Sequence, residues 1–311
     1  MRKFIVSDLH GNGDVYDSII SYLENISCEE EVHLYINGDL IDRGLDSFRV
    51  LMDVDERMKG KGNIHIHYLG GNHELMMYNA LRKRKPGKCV NSWCDWLMNG
   101  GEFIEGELDA RDDGEELSDY FRDFMGELKI YHVFDEKINQ KPLVLVHAQA
   151  PKKILTGEDM RIKDRGIPVE QAVWTRREER MDLLFFLGDI IGFNRIGLDG
   201  YFTIVGHTPV NNRNGFYLDK KDDYMNIDGG CAAYARGRFE YDHVPLLEVL
   251  DDSIEILIFN HDNQILRGFY YDGDLYVMGE RDLEDRKKYL NPLYDGQAKK
   301  YQKEIKEILE I

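Results

Sequence analysis

The sequence predicts an α/β fold, on three observations. Short apolar runs rich in Val, Ile, Leu and aromatic residues recur at lengths suited to buried strands. The first of them alternate with segments of helical period, and five of them end in a cluster of Gly, Asp, Asn or His. Residues 35–44, YINGDLIDRG, show the pattern: a run apolar enough to be buried gives way to two aspartates and an arginine among glycines. In open α/β sheets the loops at the carboxyl ends of strands converge on a ligand crevice, so clusters far apart in sequence are expected to meet.

Phe4-Ile5-Val6 reads as the first strand and leads into SDLHGN at 7–12. A helix follows over Val15 to Glu24, with Ile19, Ile20 and Leu23 on one face. Val32 to Ile36 is the second strand, ending in NGDLIDRG, and Leu45 to Met52 the next helix. Ile64 to Leu69 ends in GGNHE at 70–74, Leu143 to Val146 in His147-Ala148, and Phe202 to Val205 in GHT at 206–208. Between them, at about 80–128, the pattern breaks into LRKRKPGKCVNSWCDWLMNGGEF and a charged stretch, read as a helical insertion or lid. After Gly229 the chain turns to β: Leu246 to Leu250, Ile254 to Phe259, and FYYDGDLYV at 269–277, whose Asp272-Gly273 suits a type I′ hairpin turn. The tail KKYQKEIKEILEI sets Tyr301, Ile305, Ile308 and Leu309 on one helical stripe. With no repeat or linker, residues 1–311 read as a single domain, carrying a C-terminal β hairpin plus helix at about 246–311.

At 311 residues and 42% hydrophobic composition the chain can bury a large core. A formal net charge of −18 repels a phosphate backbone, so nucleic acid is not expected as a partner. Cys28, Cys89, Cys94 and Cys231 form no CxxC pair and are read as reduced thiols. The opening MRKFIVSD is too short an apolar run for a signal peptide, and no stretch approaches the ~20 apolar residues that cross a bilayer. The expectation is a soluble cytoplasmic protein without a membrane partner; oligomeric state is not legible.

The strand ends offer Asp8, His10, Asp39, Asn72, His147 and His207. Carboxylates, imidazoles and an amide oxygen, without thiolate, suit Mn²⁺, Fe or Zn²⁺. Six donors exceed what one ion usually takes while keeping water, whereas two ions about 3.5–4 Å apart would use them all and clamp an in-line displacement at phosphorus. Asp39, midway in the series, is the expected bridge. Arg43 presents a planar fork that matches phosphate oxygens. His73, next to Asn72, is the candidate acid for a leaving oxygen, with Asp42 orienting its ring. The competing structural reading is that turn-capping polar residues gather at strand ends for their own reasons; the order and spacing of the series favour metal.

SDLHGN, GDLIDRG, GNHE, His147-Ala148 and GHT together resemble the signature series of calcineurin-like metallophosphoesterases, specifically the bacterial phosphoprotein phosphatase branch. WLMNGG at 96–101 and NIDGGC at 226–231 are similar to bacterial members as well. The resemblance implies a four-layer sandwich, two mixed β-sheets flanked by helices. It implies one metal on Asp8, His10 and Asp39 and a second on Asp39, Asn72, His147 and His207, with Mn²⁺ the first choice. Asp42 would pair with the acid His73. Arg43 and Asn72 would face the substrate's phosphate, joined by Arg176 of VWTRRE at 173–178, with Arg177 the open alternative. Two departures from the family's eukaryotic pattern, Ser7 before the first aspartate and Ala148-Gln149 after His147, are expected to touch no ligand.

The function expected is serine/threonine protein phosphatase activity, a metal-bridging hydroxide attacking in line. Symmetrical hydrolysis of diadenosine tetraphosphate, or of another nucleotide or small phosphate, is the alternative, because that hydrolase shares the motif series. A non-catalytic binding module on the same scaffold is a third reading, which the intact donor set disfavours. His65 and His67 are read as structural, His33 and His132 carry no motif, and Trp93 and Trp96 are assigned to helical packing before a substrate pocket.

Overall fold

A computed structural model describes residues 1–83, 91–175, 197–210, 215–220, 223–234 and 243–259, and the backbone of 266–271 and 274–278. Strands β1 (Arg2–Val6), β2 (Val32–Asn37) and β3 (Ile64–Leu69) alternate with helices α1 (Gly13–Ser27) and α2 (Ser47–Met58) and run parallel. The α1 and α2 helices extend beyond their expected ends, and α2 starts later than expected. The turn at 44–46 intervenes, with Ser47 Oγ donating to the Gly44 carbonyl at 2.6 Å and Leu45 left exposed.

Helices α3 (Asn72–Arg82), α4 (Asn91–Trp96), a π-helical turn at Leu97–Gly101, α5 (Glu102–Asp109) and α6 (Gly114–Glu127) follow. Next come β4 (Tyr131–Ile138), β5 (Lys141–Val146), α7 (Ile167–Trp174), β6 (Phe202–Val205), β7 (Tyr217–Asp219) and β8 (Tyr224–Asn226). The chain then forms an antiparallel meander, β9 (Val244–Leu250), β10 (Ser253–Phe259), β11 (Leu266–Tyr271) and β12 (Asp274–Met278).

These strands make two mixed sheets, of order β12-β11-β10-β9-β1-β2-β3 and β4-β5-β6-β8-β7. The two-residue period of a strand explains the layers. Phe4 and Val6 of β1 and Leu34 and Ile36 of β2 face helices, in one core with Val15, Ile19, Val50 and Leu51. Ile5 and Tyr35, one residue out of step, join Leu143, Leu145, Phe202 and Ile204 of the second sheet in a separate core between the sheets. Sheet against sheet, with helices outside, is the four-layer sandwich expected. The Asp272-Gly273 turn, the 301–311 stripe and Arg176 lie outside the described residues.

One cysteine departs from expectation. Cys28 and Cys231 carry reduced thiols, but Cys94 is in a disulfide.

Candidate metal centre

All five expected strand ends deliver their polar clusters to one place. Asp8 follows β1, Asp39 follows β2, Asn72 opens α3 just beyond β3, His147 follows β5 and His207 follows β6. Backbone hydrogen bonds stitch the loops together: His10 N–H donates to the Asp39 carbonyl at 2.9 Å and Gly206 N–H to that of His147 at 2.8 Å. Asp8, His10, Asp39, Asp42, Asn72, His73, His147 and His207 are at most 3% exposed. Burying so many titratable groups is costly unless charges or ions compensate them.

The backbone is strained where the chemistry gathers. Asp8, His10, Asp39, Asp42, Arg43 and His207 all have positive φ, between 47° and 73°. Such a conformation costs a non-glycine residue about 1–3 kcal/mol and persists only where its surroundings over-determine it. Part of that restraint comes from Glu74, fully buried and missed as a functional residue in the sequence. Its carboxylate accepts from the backbone N–H groups of Gly71, Asp39 and Leu40 at 2.7, 2.9 and 3.1 Å and from the Tyr68 hydroxyl at 2.6 Å.

Asp39 stands between two groups of donors. Its Oδ1 lies 3.3 Å from His147 Nε2, and its Oδ2 lies 3.5 Å from His10 Nε2 and 3.8 Å from His73 Nε2. The sets His10–Asp39–His73 and Asp39–His147–His207 each hold their donor atoms within 4.8 Å of one another. Asn72 turns its Oδ1 to His207 Nδ1 at 2.7 Å and His147 Nε2 at 3.1 Å. In this orientation the amide oxygen faces acceptors alone, an arrangement a cation relieves; the swapped amide would instead donate to Asp39 and both rings.

Electrostatics agree with a cation. Burial, and then the neighbouring Asp228 charge, push the Asp8 carboxyl well above its ordinary value. Burial holds Asp228 up, to about 6. Burial works against charge on Asp39 too, but the His147, His73 and His10 rings hold its carboxyl well below the carboxylate range. Against the same burial, the Asp39 and Asp8 charges raise His147 to about 10. Crowded acids beside imidazoles and an amide oxygen are the donor set that the sequence implied, and they fit divalent metal.

Asp8 sits slightly apart from the two close groups. Its carboxylate accepts from His207 N–H at 3.1 Å and from Ser7 Oγ at 2.5 Å. Ser7 therefore does touch a candidate ligand, contrary to expectation, because its hydroxyl bridges Asp8 and the Asn37 carbonyl at 3.0 Å.

Beside this centre His73 Nδ1 lies 2.7 Å from Asp42 Oδ2, while His73 Nε2 has no hydrogen-bond partner among the described residues. The Trp96 indole N–H donates to both Asp42 oxygens at 3.1 Å, a role for a tryptophan read as packing before a substrate pocket. Arg43 Nη1 is 3.0 Å from His10 Nε2, and the Arg43 N–H donates to the Gly100 carbonyl at 2.9 Å. Asp228 also escaped notice: NIDGGC was seen, but β8 is only three residues long, too short to mark Asp228 as another strand-end acid.

Among solved structures, a protein serine/threonine phosphatase from Saccharomyces cerevisiae is 12% identical, with 89% of this chain and 79% of that one covered at a TM-score of 0.49. A cold-active protein-tyrosine phosphatase of a psychrophile Shewanella sp. is 14% identical, covering 89% and 80% at 0.45. A metallophosphoesterase from Sphaerobacter thermophilus is 13% identical, covering 91% and 90% at 0.36. At such distances these likenesses carry no weight for substrate or mechanism. A search among curated proteins gave no match. The family model of calcineurin-like phosphoesterases, in contrast, matches residues 1–222, the stretch that supplies every donor named above except Asp228. The chain belongs to the calcineurin-like phosphoesterase family and is a metal-dependent phosphatase.

Proposed function

We propose that the chain is a binuclear phosphomonoesterase whose first substrates are phosphoserine and phosphothreonine in proteins. The two-sided surroundings of Asp39 support this most, a histidine standing opposite each of its oxygens. In this reading Asp8, His10 and Asp39 hold one ion, and Asp39, Asn72, His147 and His207 the other, with Mn²⁺ preferred and Fe or Zn as alternatives. The ions, when bound, polarise a phosphoryl oxygen and lower the pKa of a water placed for in-line attack.

The chain's own residues orient the substrate and move the proton. Arg43 exchanges its contact with His10 for phosphate oxygens, which its planar fork fits. Asn72 flanks the same phosphate, and Arg176 is the second arginine. His73 donates from Nε2 to the leaving oxygen; Asp42, held by Trp96, accepts from its Nδ1–H and keeps the ring turned inward. The exposed Leu45 and Met98, on the two segments that flank Arg43, offer apolar contact to a peptide. One observation favours the alternative, symmetrical cleavage of diadenosine tetraphosphate: Trp174 is partly exposed, edge-on to His207 with ring centroids 6.1 Å apart, where a base would stack.

The segment at about 80–128 is taken as the lid of a single domain, its Trp96 and Gly100 bracing Asp42 and Arg43. No helix among the described residues is long and apolar enough to cross a membrane. For the compartment we keep the cytoplasm, on the reduced thiols of Cys28 and Cys231; the disulfide at Cys94 is the observation against it.

The test is a side-by-side assay of the Mn²⁺-loaded protein on a phosphothreonine peptide and on diadenosine tetraphosphate, scoring phosphate and ADP. Faster release from the peptide is expected. Preference for the dinucleotide moves the function to nucleotide hydrolysis, and no turnover of either by protein that holds Mn²⁺ overturns the phosphomonoesterase reading.

A further inference from the structure

A second group of metal-ligating side chains lies at the other end of the parallel strands. Glu31 directly precedes β2, and the two-residue period of a strand puts Glu31, His33 and Tyr35 on one face. His33 pairs in register with His65 on the parallel neighbour β3, so the two imidazoles stand side by side on that face, ring centroids 4.9 Å apart. Glu31 reaches over both rings. Its Oε1 lies 3.1 Å from His33 Nε2 and 3.7 Å from His65 Nε2, and the three donor atoms fall within 4.8 Å of one another.

The spacing has a chemical meaning. An ion bound at roughly 2.0–2.1 Å in a tetrahedron keeps neighbouring donors about 3.4 Å apart, and the two measured separations lie on either side of that value. Metal-binding histidines usually have their other ring nitrogen held by a partner; here His33 Nδ1 is 2.8 Å from His67 Nε2, and His67 in turn stacks on Tyr35 at 4.4 Å. As a plain ion pair the group is less complete. Two stacked imidazolium rings would share a single carboxylate, whereas one dication serves all three donors at once.

We propose that Glu31, His33 and His65 form a peripheral site for a divalent first-row transition ion of the zinc class. Two imidazoles and a carboxylate suit Zn²⁺, Ni²⁺ or Cu²⁺ better than Mg²⁺ or Ca²⁺. Glu31 and His65 are more than half exposed, which leaves an entry path and room for water in the remaining position. Four strand residues, about 13 Å, separate His33 from the end of β2 at Asn37, and Asp39 lies in the turn beyond it, so this ion is no third member of the phosphatase centre. It clamps the segment entering β2 onto β3.

The experiment compares full-length wild type with Glu31→Gln and His65→Ala after dialysis against Zn²⁺ and a wash in metal-free buffer, counting zinc per chain by elemental analysis. Each variant is expected to hold one zinc fewer than wild type, with unchanged Mn²⁺-supported phosphatase activity. Because Glu31 is exposed and Gln keeps its shape, the first variant reads the site without threatening the fold. Equal zinc content in all three proteins overturns the proposal, as does a zinc loss accompanied by loss of phosphatase activity, which would place the missing ion at the strand-end centre.

Discussion

Asp39 and Asp42 are three residues apart, both buried and both at positive φ, yet their surroundings differ. Asp39 faces histidines from two donor groups, whereas Asp42 faces one histidine and the Trp96 indole. If Asp39 bridges two ions, as proposed, replacing its carboxylate by an amide removes charge from both. Asp39→Asn is therefore expected to lower kcat on the order of 10³-fold or more, several kcal/mol of lost transition-state stabilisation, and to reduce the bound metal. Asp42→Asn removes a tuning partner, so a loss of about 10–100-fold with metal retained is expected. Equal losses, or equal metal contents, measured by steady-state kinetics and elemental analysis would remove the distinction.

At the scale of elements, the π-helical turn at Leu97–Gly101 is the part of the insertion that reaches the chemistry. Gly100 adopts φ +106°, and a Cβ there would lie 2.5 Å from the Arg43 nitrogen and 2.7 Å from its Cγ. Neither the conformation nor the space admits a side chain. Gly100→Ala is expected to cost about 1–3 kcal/mol of stability and to lower kcat/KM by about tenfold or more, through displacement of Arg43, while metal content stays constant. Unfolding in urea beside a kinetic comparison checks it. An alanine variant with wild-type kcat/KM would show that the turn does not position Arg43. The WLMNGG motif was visible in the sequence, but its contact with the DRG turn was not, since about fifty residues separate the two and no periodicity links them.

At the scale of the whole molecule, the two sheets close on an aromatic and histidine layer that includes His132. Its ring lies 4.7 Å from Tyr35 and 4.6 Å from Phe134. Burial, and then the Lys3 and Lys129 charges, lower its imidazole to about 4. The unfolded chain, with an ordinary histidine near pH 6.5, then binds more protons between about pH 6.5 and 4. The stabilisation is complete above pH 6.5 and is lost as pH falls toward 4. Allowing for solvent screening, this group accounts for at most about 2 kcal/mol of that loss. His132→Gln should therefore lose less stability than wild type between about pH 7 and pH 4.5, with both proteins in chelator and followed by urea unfolding. Identical losses would show that the ring titrates normally between the sheets.

The sequence by itself determined the strand ends, because apolar runs and the glycines that end them are local signals of chain conformation. Reading Asp8, Asp39, Asn72, His147 and His207 at those ends was therefore enough to anticipate that they meet. Only the tertiary structure decided what holds them there. Glu74 tying the loops after β2 and β3, Trp96 clamping Asp42, Ser7 reaching the Asn37 carbonyl and Asp228 joining the acids all depend on segments distant in sequence. The same limit hid Glu31, His33 and His65: each looks like an ordinary surface residue until the register of β2 on β3 sets them side by side. Local composition encodes where a strand stops, and packing alone encodes which side chains then share a few ångströms of space.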